Sequence, residues 1–363
     1  LDHEDLSPIF IPINSIESLA GHYDSLEVTS QLIDRLRDAG YRTLQRIVVL
    51  GAQKVSDDIR VSMKDAQRIC SLANTKIREF EIQSAPAFSD LPGQYPSMVH
   101  IRTGSKVLDS LLGGGIEVGA LTELFGRSGS GKTQLCHTIS VTSQTSPDLQ
   151  YPTKNNKVGK FSKVIYIDTE GTFRPERVTQ IARARGLRED KVVRNIHVIY
   201  CLTVFEQEQC LKLICELLDK DKSISVIIID SIIVHFRAEY PWRSVLPERQ
   251  QRLNKYLSTL SKVARVYKVA VVITNQVQSI PSDTADSHHD DISTGGNILS
   301  HISTHRIRLN KPFSENIYAK VVKSPYHSSS APDARFTITN KGIDDLEDEL
   351  NMLFRQNENN NSI

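Results

Sequence analysis

The sequence predicts an α/β protein, with a mostly parallel sheet covered by helices and a small all-α domain in front of it. Three observations carry this. Strand-like apolar runs alternate with helical periodicities between residues 120 and 276, the pattern of strands joined by crossover helices. Two of the runs, 163–168 and 225–230, are nearly continuous in apolar and β-branched residues, as in strands buried on both faces. The octet Gly126-Arg127-Ser128-Gly129-Ser130-Gly131-Lys132-Thr133 stands between a strand, 120–125, and a helix opening at Gln134.

That octet in that context is a phosphate-binding loop. Its glycines let successive backbone N–H groups turn inward around phosphate oxygens. Lys132 then neutralises the β- and γ-phosphates, and the Thr133 hydroxyl holds Mg²⁺. The chain is therefore expected to bind a nucleoside triphosphate with Mg²⁺.

The chain of 363 residues has room for one large and one small domain. Its 39% hydrophobic and 24% charged content is that of an ordinary globular protein. A net charge of +1 gives no global pull on a polyanion, so nucleic-acid contact must come from local basic clusters. Five cysteines without CxxC or zinc spacing argue against a disulfide scaffold or a metal site. Cys136, Cys210 and Cys215 read as buried thiols. No apolar run is long enough to span a membrane and no signal peptide is visible, so an intracellular compartment and no membrane partner are expected.

Taken in order, residues 1–28 suggest little structure. A helix follows at 29–40, with Leu32, Ile33, Leu36 and Ala39 on one face and Gly40 as its stop. A second short helix, 43–50, is ended by Gly51, and a third starts at Ser62 with Ala66, Ile69, Ala73, Ile77 and Phe80 at helical spacing. Residues 1–80 thus form a small helical domain. Two readings stand for it: a degenerate helix-hairpin-helix DNA module, or a packing and protein-contact domain. Residues 81–100 contain three prolines and read as a linker. Phe88 within it either packs on its own domain or plugs into a neighbouring subunit. The large domain runs from 101 to 345, with Gly113-Gly114-Gly115 as a tight turn and 146–160 as a polar loop. Further strands are read at 163–168, 195–200, 225–230 and 269–276, and helices to about 185, at 205–218 and at 247–267. Residues 346–363, acidic and then Asn-rich, read as a tail.

The chemistry gathers at strand ends. Asp230 follows a β-branched run, where a carboxylate supports the metal. Glu170 follows the strand ending at Asp168, at the edge where open α/β sheets bind ligands, and can activate a water for attack on the γ-phosphate. Gln276 ends a strand in the same layer and can sense that phosphate. After it, 277–296 is a long segment of no regular period closed by Gly295-Gly296, the kind of loop that carries function. A second candidate DNA-contacting stretch, Phe236-Arg237-Ala238-Glu239-Tyr240-Pro241-Trp242-Arg243 with Arg249, interleaves bases and aromatics, as a single-strand binding surface requires.

Together these stretches resemble the RecA/RadA-type DNA strand-exchange recombinases, in the archaeal RadA and eukaryotic nuclear branch. The likeness spans about residues 30–345 and rests on Leu112-Gly113-Gly114-Gly115-Ile116-Glu117, 168–177, 236–241, Glu248-Arg249-Gln250-Gln251 and 273–277. It implies a RecA-like ATPase core and an ATP-dependent filament, helical or closed into a ring, that pairs single-stranded DNA with homologous duplex. By position it implies that Lys132, Thr133, Asp230 and Glu170 act as above, and that Arg177 stacks on adenine. Gln276 would couple the γ-phosphate to the second DNA loop. Arg237, Trp242, Arg243 and Arg249 would serve the first DNA loop, Gly295 and Gly296 the second. Phe88 would insert into the adjacent subunit, and Lys323 and Pro325 would lie in the segment capping a neighbour's ATP.

The chain departs from that pattern in several places. The N-terminal hairpin glycines are missing, Leu91 stands where a small residue follows the polymerisation Phe, and Trp242 replaces a small residue. Lys323 replaces an Asp associated with a monovalent cation, so ATPase activity is expected to depend little on K⁺. Between Gln276 and His305 there is no Lys or Arg. Phosphate contact there would rest on backbone N–H groups or on protonated His288, His289, His301 and His305. The expected function is a recombinase and DNA-dependent ATPase, helped by recombination mediators, in the nucleoid or the nucleus. The alternatives are a non-exchanging mediator of recombinase filaments and a P-loop ATPase that works on protein.

Overall fold

The computed structural model describes residues 11–13, 15, 30–84, 99–145, 162–278, 292–294, 297–312, 315–326 and 333–347. The chain divides into two compact units, Leu1–Ser97 with Leu211–Lys222, and Met98–Cys210 with Ser223–Ile363.

The first unit holds α1 (Ser30–Asp38), α2 (Leu44–Ile59) and α3 (Met63–Ser84). The Thr43 hydroxyl caps α2 by accepting from Arg46 N at 3.3 Å. Gly51, at φ 78°, kinks this helix, but helical geometry resumes and continues to Ile59. The sequence reading stopped at the glycine. The helix resumes because Val55 and Ile59 join Ile33, Leu36, Leu44, Ile47, Ala66 and Ile69 in one core. In the α2–α3 turn Arg60 itself takes the left-handed conformation that a glycine would favour. The Arg35 guanidinium donates to the carbonyls of Ile59 and Arg60, satisfying the helix end. The Ser62 hydroxyl accepts from Asp65 N at 3.1 Å and opens α3. That helix runs past Phe80 to Ser84, into the stretch read as linker.

The second unit opens with β1 (His100–Ile101), α4 (Lys106–Leu111) and β2 (Ile116–Glu117). Then come β3 (Leu121–Gly126), α5 (Lys132–Thr142), β4 (Lys163–Asp168), α6 (Pro175–Ala184), α7 (Glu189–Arg194), β5 (Ile196–Tyr200) and α8 (Val204–Lys220), which from Leu211 on belongs to the first unit. Next are β6 (Ile224–Asp230), α9 (Val234–Glu239), a 3-10 turn at Arg243–Val245, α10 (Leu246–Tyr267), β7 (Ala270–Gln278), β8 (Ile292–Ser293) and α11 (Asn297–Ile302). The chain closes with β9 (His305–Asn310), β10 (Ile317–Lys323), β11 (Ala334–Thr339) and β12 (Gly342–Asp345).

The main sheet has the order β12-β11-β10-β9-β3-β7-β6-β4-β5, with β8 pairing on β7. From β9 to β5 the pairs are parallel, and from β9 to β12 antiparallel. The parallel part follows the sequence expectation. The antiparallel extension does not, because its strands are buried on one side only and alternate with charged residues, as in His305-Arg306-Ile307-Arg308-Leu309. Register places Asp168 beside Asp230 and Gly126 beside Gln276, so four functional positions share one edge.

One ion pair lies inside the sheet. Glu123 on β3 is fully buried and accepts from Arg306 Nε of β9 at 2.6 Å and from Asn275 Nδ2 of β7 at 2.9 Å. The guanidinium lies over the Phe125 ring at 4.9 Å. A buried pair is costly to break from one side, since the remaining charge keeps its desolvation penalty. Arg306→Met should lower unfolding free energy by about 3–5 kcal/mol. The double variant Arg306→Met with Glu123→Gln should recover part of that loss in urea titrations.

Candidate functional site

The loop after β3 is shaped by contacts that forbid side chains. A Cβ on Gly126 would stand 2.2 Å from the Leu309 carbonyl oxygen, and one on Gly131, at φ +94°, 2.5 Å from Ile317 Cδ1. The backbone therefore packs flush against β9 and β10 and turns into α5. Lys132 reaches back across the loop, donating to the carbonyls of Gly126 (2.9 Å) and Arg127 (2.8 Å) and to Ser130 Oγ (3.4 Å). Burial lowers its pKa, and the carboxylates of Asp230 and Glu170 oppose that shift. The ammonium is thus a desolvated cation folded over the glycine-rich loop, a charge that suits a polyphosphate.

Asp230 organises the floor. Its Oδ2 accepts from Thr133 Oγ1 at 2.7 Å and from the Tyr166 hydroxyl at 3.0 Å, and its Oδ1 accepts from Thr274 Oγ1. Having donated its proton to Asp230, Thr133 presents only lone pairs to the loop, as a hard divalent cation needs. The peptide bond from Asp230 to Ser231 is cis.

Glu170 projects from the loop after β4. Asp168 builds that loop, its Oδ1 accepting from Glu170 N and Thr172 N (3.1 Å each) and its Oδ2 from Phe173 N (2.9 Å). Ser231 Oγ donates to Glu170 Oε1, so the carboxylate is aimed by the residue after Asp230. The sequence reading named Asp230 and Glu170 but not their holders, Tyr166, Asp168, Ser231 and Thr274. The signal was there: each holder sits on or beside the last turn of a strand already identified.

Other expected residues lie as follows. Arg177 in α6 donates to Gln134 Oε1 (2.8 Å), to the Thr339 carbonyl (2.6 Å) and to Gln180, an arrangement that ties α6 to α5 and β11. Gln276 Oε1 accepts from Arg237 Nη1 of α9 at 3.4 Å, and the Gln276 carbonyl accepts from Thr294 N. β7 extends to Gln278 and pairs with β8, so the ends of the stretch read as irregular are a strand pair.

Tyr240 is held by Arg252, which donates to its hydroxyl and pairs with Glu208 at 2.6 Å. Arg249 donates to the Tyr240 carbonyl at 3.3 Å, and Trp242 is 74% exposed. The side chain of Arg243, and Phe88, Leu91, His288, His289, Gly295 and Gly296, lie outside the described residues.

One expectation changes, and Lys323 gains partners the sequence did not show. His305 was grouped with the DNA-loop histidines, but it is buried in β9, with Nε2 2.6 Å from Glu117 Oε2 and its ring stacked on Tyr326. It is therefore a packing residue. The Lys323 ammonium donates to the carbonyls of Ser300 (2.7 Å), His301 (3.2 Å) and Ser303 (2.8 Å). These three bonds match the donor capacity of an ammonium and close the C-terminal end of α11. Pro325 follows it and is exposed.

The Rad51 family model matches residues 94–346. The chain is also similar to the DNA repair and recombination protein RadA of Metallosphaera sedula, at 37% identity over 338 residues, covering 93% of this chain and 97% of that protein. Among the described residues, no helix is long and apolar enough to cross a membrane.

His137, on α5 beneath the loop, gives a pH test of this site. It is buried between the Tyr166 and Phe173 rings, 5.9 and 5.4 Å away, and its Nε2 accepts from Arg174 N at 3.3 Å. Burial pushes its pKa from 6.5 down to about 4. In that window the unfolded chain takes up a proton that the folded chain refuses. Folded-state stability is thus full above 6.5 and falls by up to about 3 kcal/mol as pH drops toward 4. Asp109, which burial pushes up to about 7, slopes the other way, losing stability as pH rises. His137→Gln keeps an acceptor for Arg174 and leaves the Asp109 contribution unchanged. Between about pH 7 and 4.5 the wild type should therefore lose about 2–3 kcal/mol more stability than the variant in urea unfolding.

Proposed function

The chain belongs to the Rad51 family, and we propose that it is a DNA-dependent ATPase that forms an ATP-bound filament on single-stranded DNA. It pairs that strand with homologous duplex in recombinational repair. The observation that most supports this is the bond from Arg237 to Gln276. Arg237 leads the arginine- and aromatic-rich segment, while Gln276 stands beside Gly126 of the phosphate loop. One side-chain contact therefore joins the nucleotide edge to the segment suited to a single strand.

A bound Mg²⁺ would neutralise charge across the β- and γ-phosphate oxygens. Thr133 and Asp230 would hold it, and Lys132 would exchange its loop carbonyls for phosphate oxygens. Glu170, steadied by Ser231, orients the attacking water and accepts its proton. Arg177 supports the base, and Arg237, Trp242, Arg243 and Arg249 meet the strand with Gly295 and Gly296. Phe88 in the 81–100 linker joins subunits, and Lys323 and Pro325 border the neighbour's nucleotide. Residues 101–345 form the ATPase core, and residues 1–80 a helical accessory domain.

The test is ATP-dependent strand exchange between single-stranded DNA and homologous duplex. Wild type should give product and Lys132→Ala none. Glu170→Gln should still bind ATP while its turnover falls about 10²–10⁴-fold. Arg237→Ala should keep DNA-free hydrolysis but lose its stimulation by single strands. A wild type that binds ATP and single strands without yielding product would instead identify a mediator of recombinase filaments.

A further inference from the structure

Cys201 and Cys210 form a thiol pair that neither the nucleotide chemistry nor the strand-binding segment uses. Cys201 follows β5, Cys210 lies on α8, and their sulfurs are 3.1 Å apart. Both are free thiols, and both are buried, at 1% and 7% exposure. The contact between the two sulfurs, in which either thiol can donate, lowers the Cys210 pKa against the opposing effects of burial and of Glu206, and raises that of Cys201. Cys210 is therefore the sulfur that ionises first, with a thiol beside it to resolve an oxidised product.

The backbone around Cys201 joins both halves of the machinery. Its N–H donates to the Asp168 carbonyl at 3.0 Å, and Asp168 holds the loop that carries Glu170. Its carbonyl lies 2.7 Å from His235 Nε2 of α9. Nearby, Val204 N donates to Glu239 Oε1 at 2.6 Å, and Gln207 Nε2 to the Ile232 carbonyl at 3.1 Å. The turn bearing Cys201 thus braces the hydrolytic loop on one side and α9, with Arg237, on the other.

We propose that Cys201 and Cys210 are a redox modification site, closing to a disulfide under peroxide and thereby disturbing the brace between the Glu170 loop and α9. The Cys210 thiolate attacks one peroxide oxygen. The O–O bond breaks, Cys210 becomes a sulfenic acid, and the departing hydroxide takes up a proton to give water. The Cys201 sulfur then attacks the Cys210 sulfur and the S–O bond breaks. The released hydroxide takes the Cys201 proton, giving a second water. Two thiols are oxidised and one peroxide is reduced. The sulfurs must close by about 1 Å to reach bonding distance, which draws the Cys201 turn toward α8. The site itself stands independently of the function proposed above; only its effect on activity rests on that reading.

The full-length chain is treated with hydrogen peroxide, alkylated, and digested by a protease cutting after Glu. Glu206 and Glu208 separate the two cysteines, so a disulfide appears as two joined peptides lighter by two hydrogens. The expected result is a Cys201–Cys210 link that forms before Cys70, Cys136 or Cys215 reacts, and that dithiothreitol reverses. Single-strand-stimulated ATPase should be lost with the link and restored by reduction. Cys210→Ala and Cys201→Ser should each keep the stimulation after peroxide. Failure to form the link at peroxide levels that oxidise Cys70 would overturn the site. A link that forms without changing the stimulation would overturn the brace alone. Absence of any DNA-stimulated hydrolysis in the reduced wild type would instead count against the proposed function and leave the mapped link standing.

Discussion

The carboxylate of Asp230 is the constraint on which the second unit depends. A buried anion must be compensated, and here three hydroxyls from three other elements do it: Thr133 of α5, Tyr166 of β4 and Thr274 of β7. Each donor fixes the side chain that carries it, so α5, β4, β6 and β7 are registered against one another at the edge where phosphate would sit. The same carboxylate fixes the Thr133 hydroxyl at the start of α5. Sheet register and the placing of the loop's hydroxyl therefore arise from one arrangement.

Around that point the fold uses hydrogen-bonding groups that orient their neighbours. Asp168 spends both oxygens on backbone N–H groups and so shapes the Glu170 loop. Ser231 aims Glu170, and Gln276 receives Arg237. Reactive groups held by neighbours that are themselves buried lose little entropy when a ligand arrives, which is what a preorganised site requires.

Much of this was legible in the sequence, for identifiable reasons. Strands β4 and β6 are buried along almost their whole length and read as nearly continuous apolar runs, and β7 opens on one, Ala270–Ile273. The phosphate loop announces itself because only glycine tolerates the approach of the Leu309 carbonyl and the positive φ at Gly131. The strands from β9 to β12 escape a sequence reading because one face is solvated, with charged or polar residues breaking the apolar pattern, as Arg306 and Arg308 do in β9. Gly51 was read as a stop because local propensity favours one, while long-range burial of Val55 and Ile59 carries the helix on. His305 resembled a loop histidine because nothing local reveals that Glu117, far earlier in the chain, faces it. Lys323 was read for its charge, and its three carbonyl partners on α11 could be found only in three dimensions.

The place of β3 between β7 and β9 has a consequence for the birth of the molecule. The strand leading into the phosphate loop is made early, yet its two hydrogen-bonded neighbours lie far downstream, the last at His305–Asn310. A chain emerging from the ribosome therefore carries β3 without its full set of partners until β9 has been made. Long-range parallel pairing of this kind is slow and leaves intermediates open to aggregation. The Leu309 carbonyl over Gly126 arrives with the same late strand, so the loop cannot be fully supported on a nascent chain. Nucleotide would then find its cradle only after synthesis has passed β9, and a chain truncated before that strand would expose an apolar edge to chaperones and proteases.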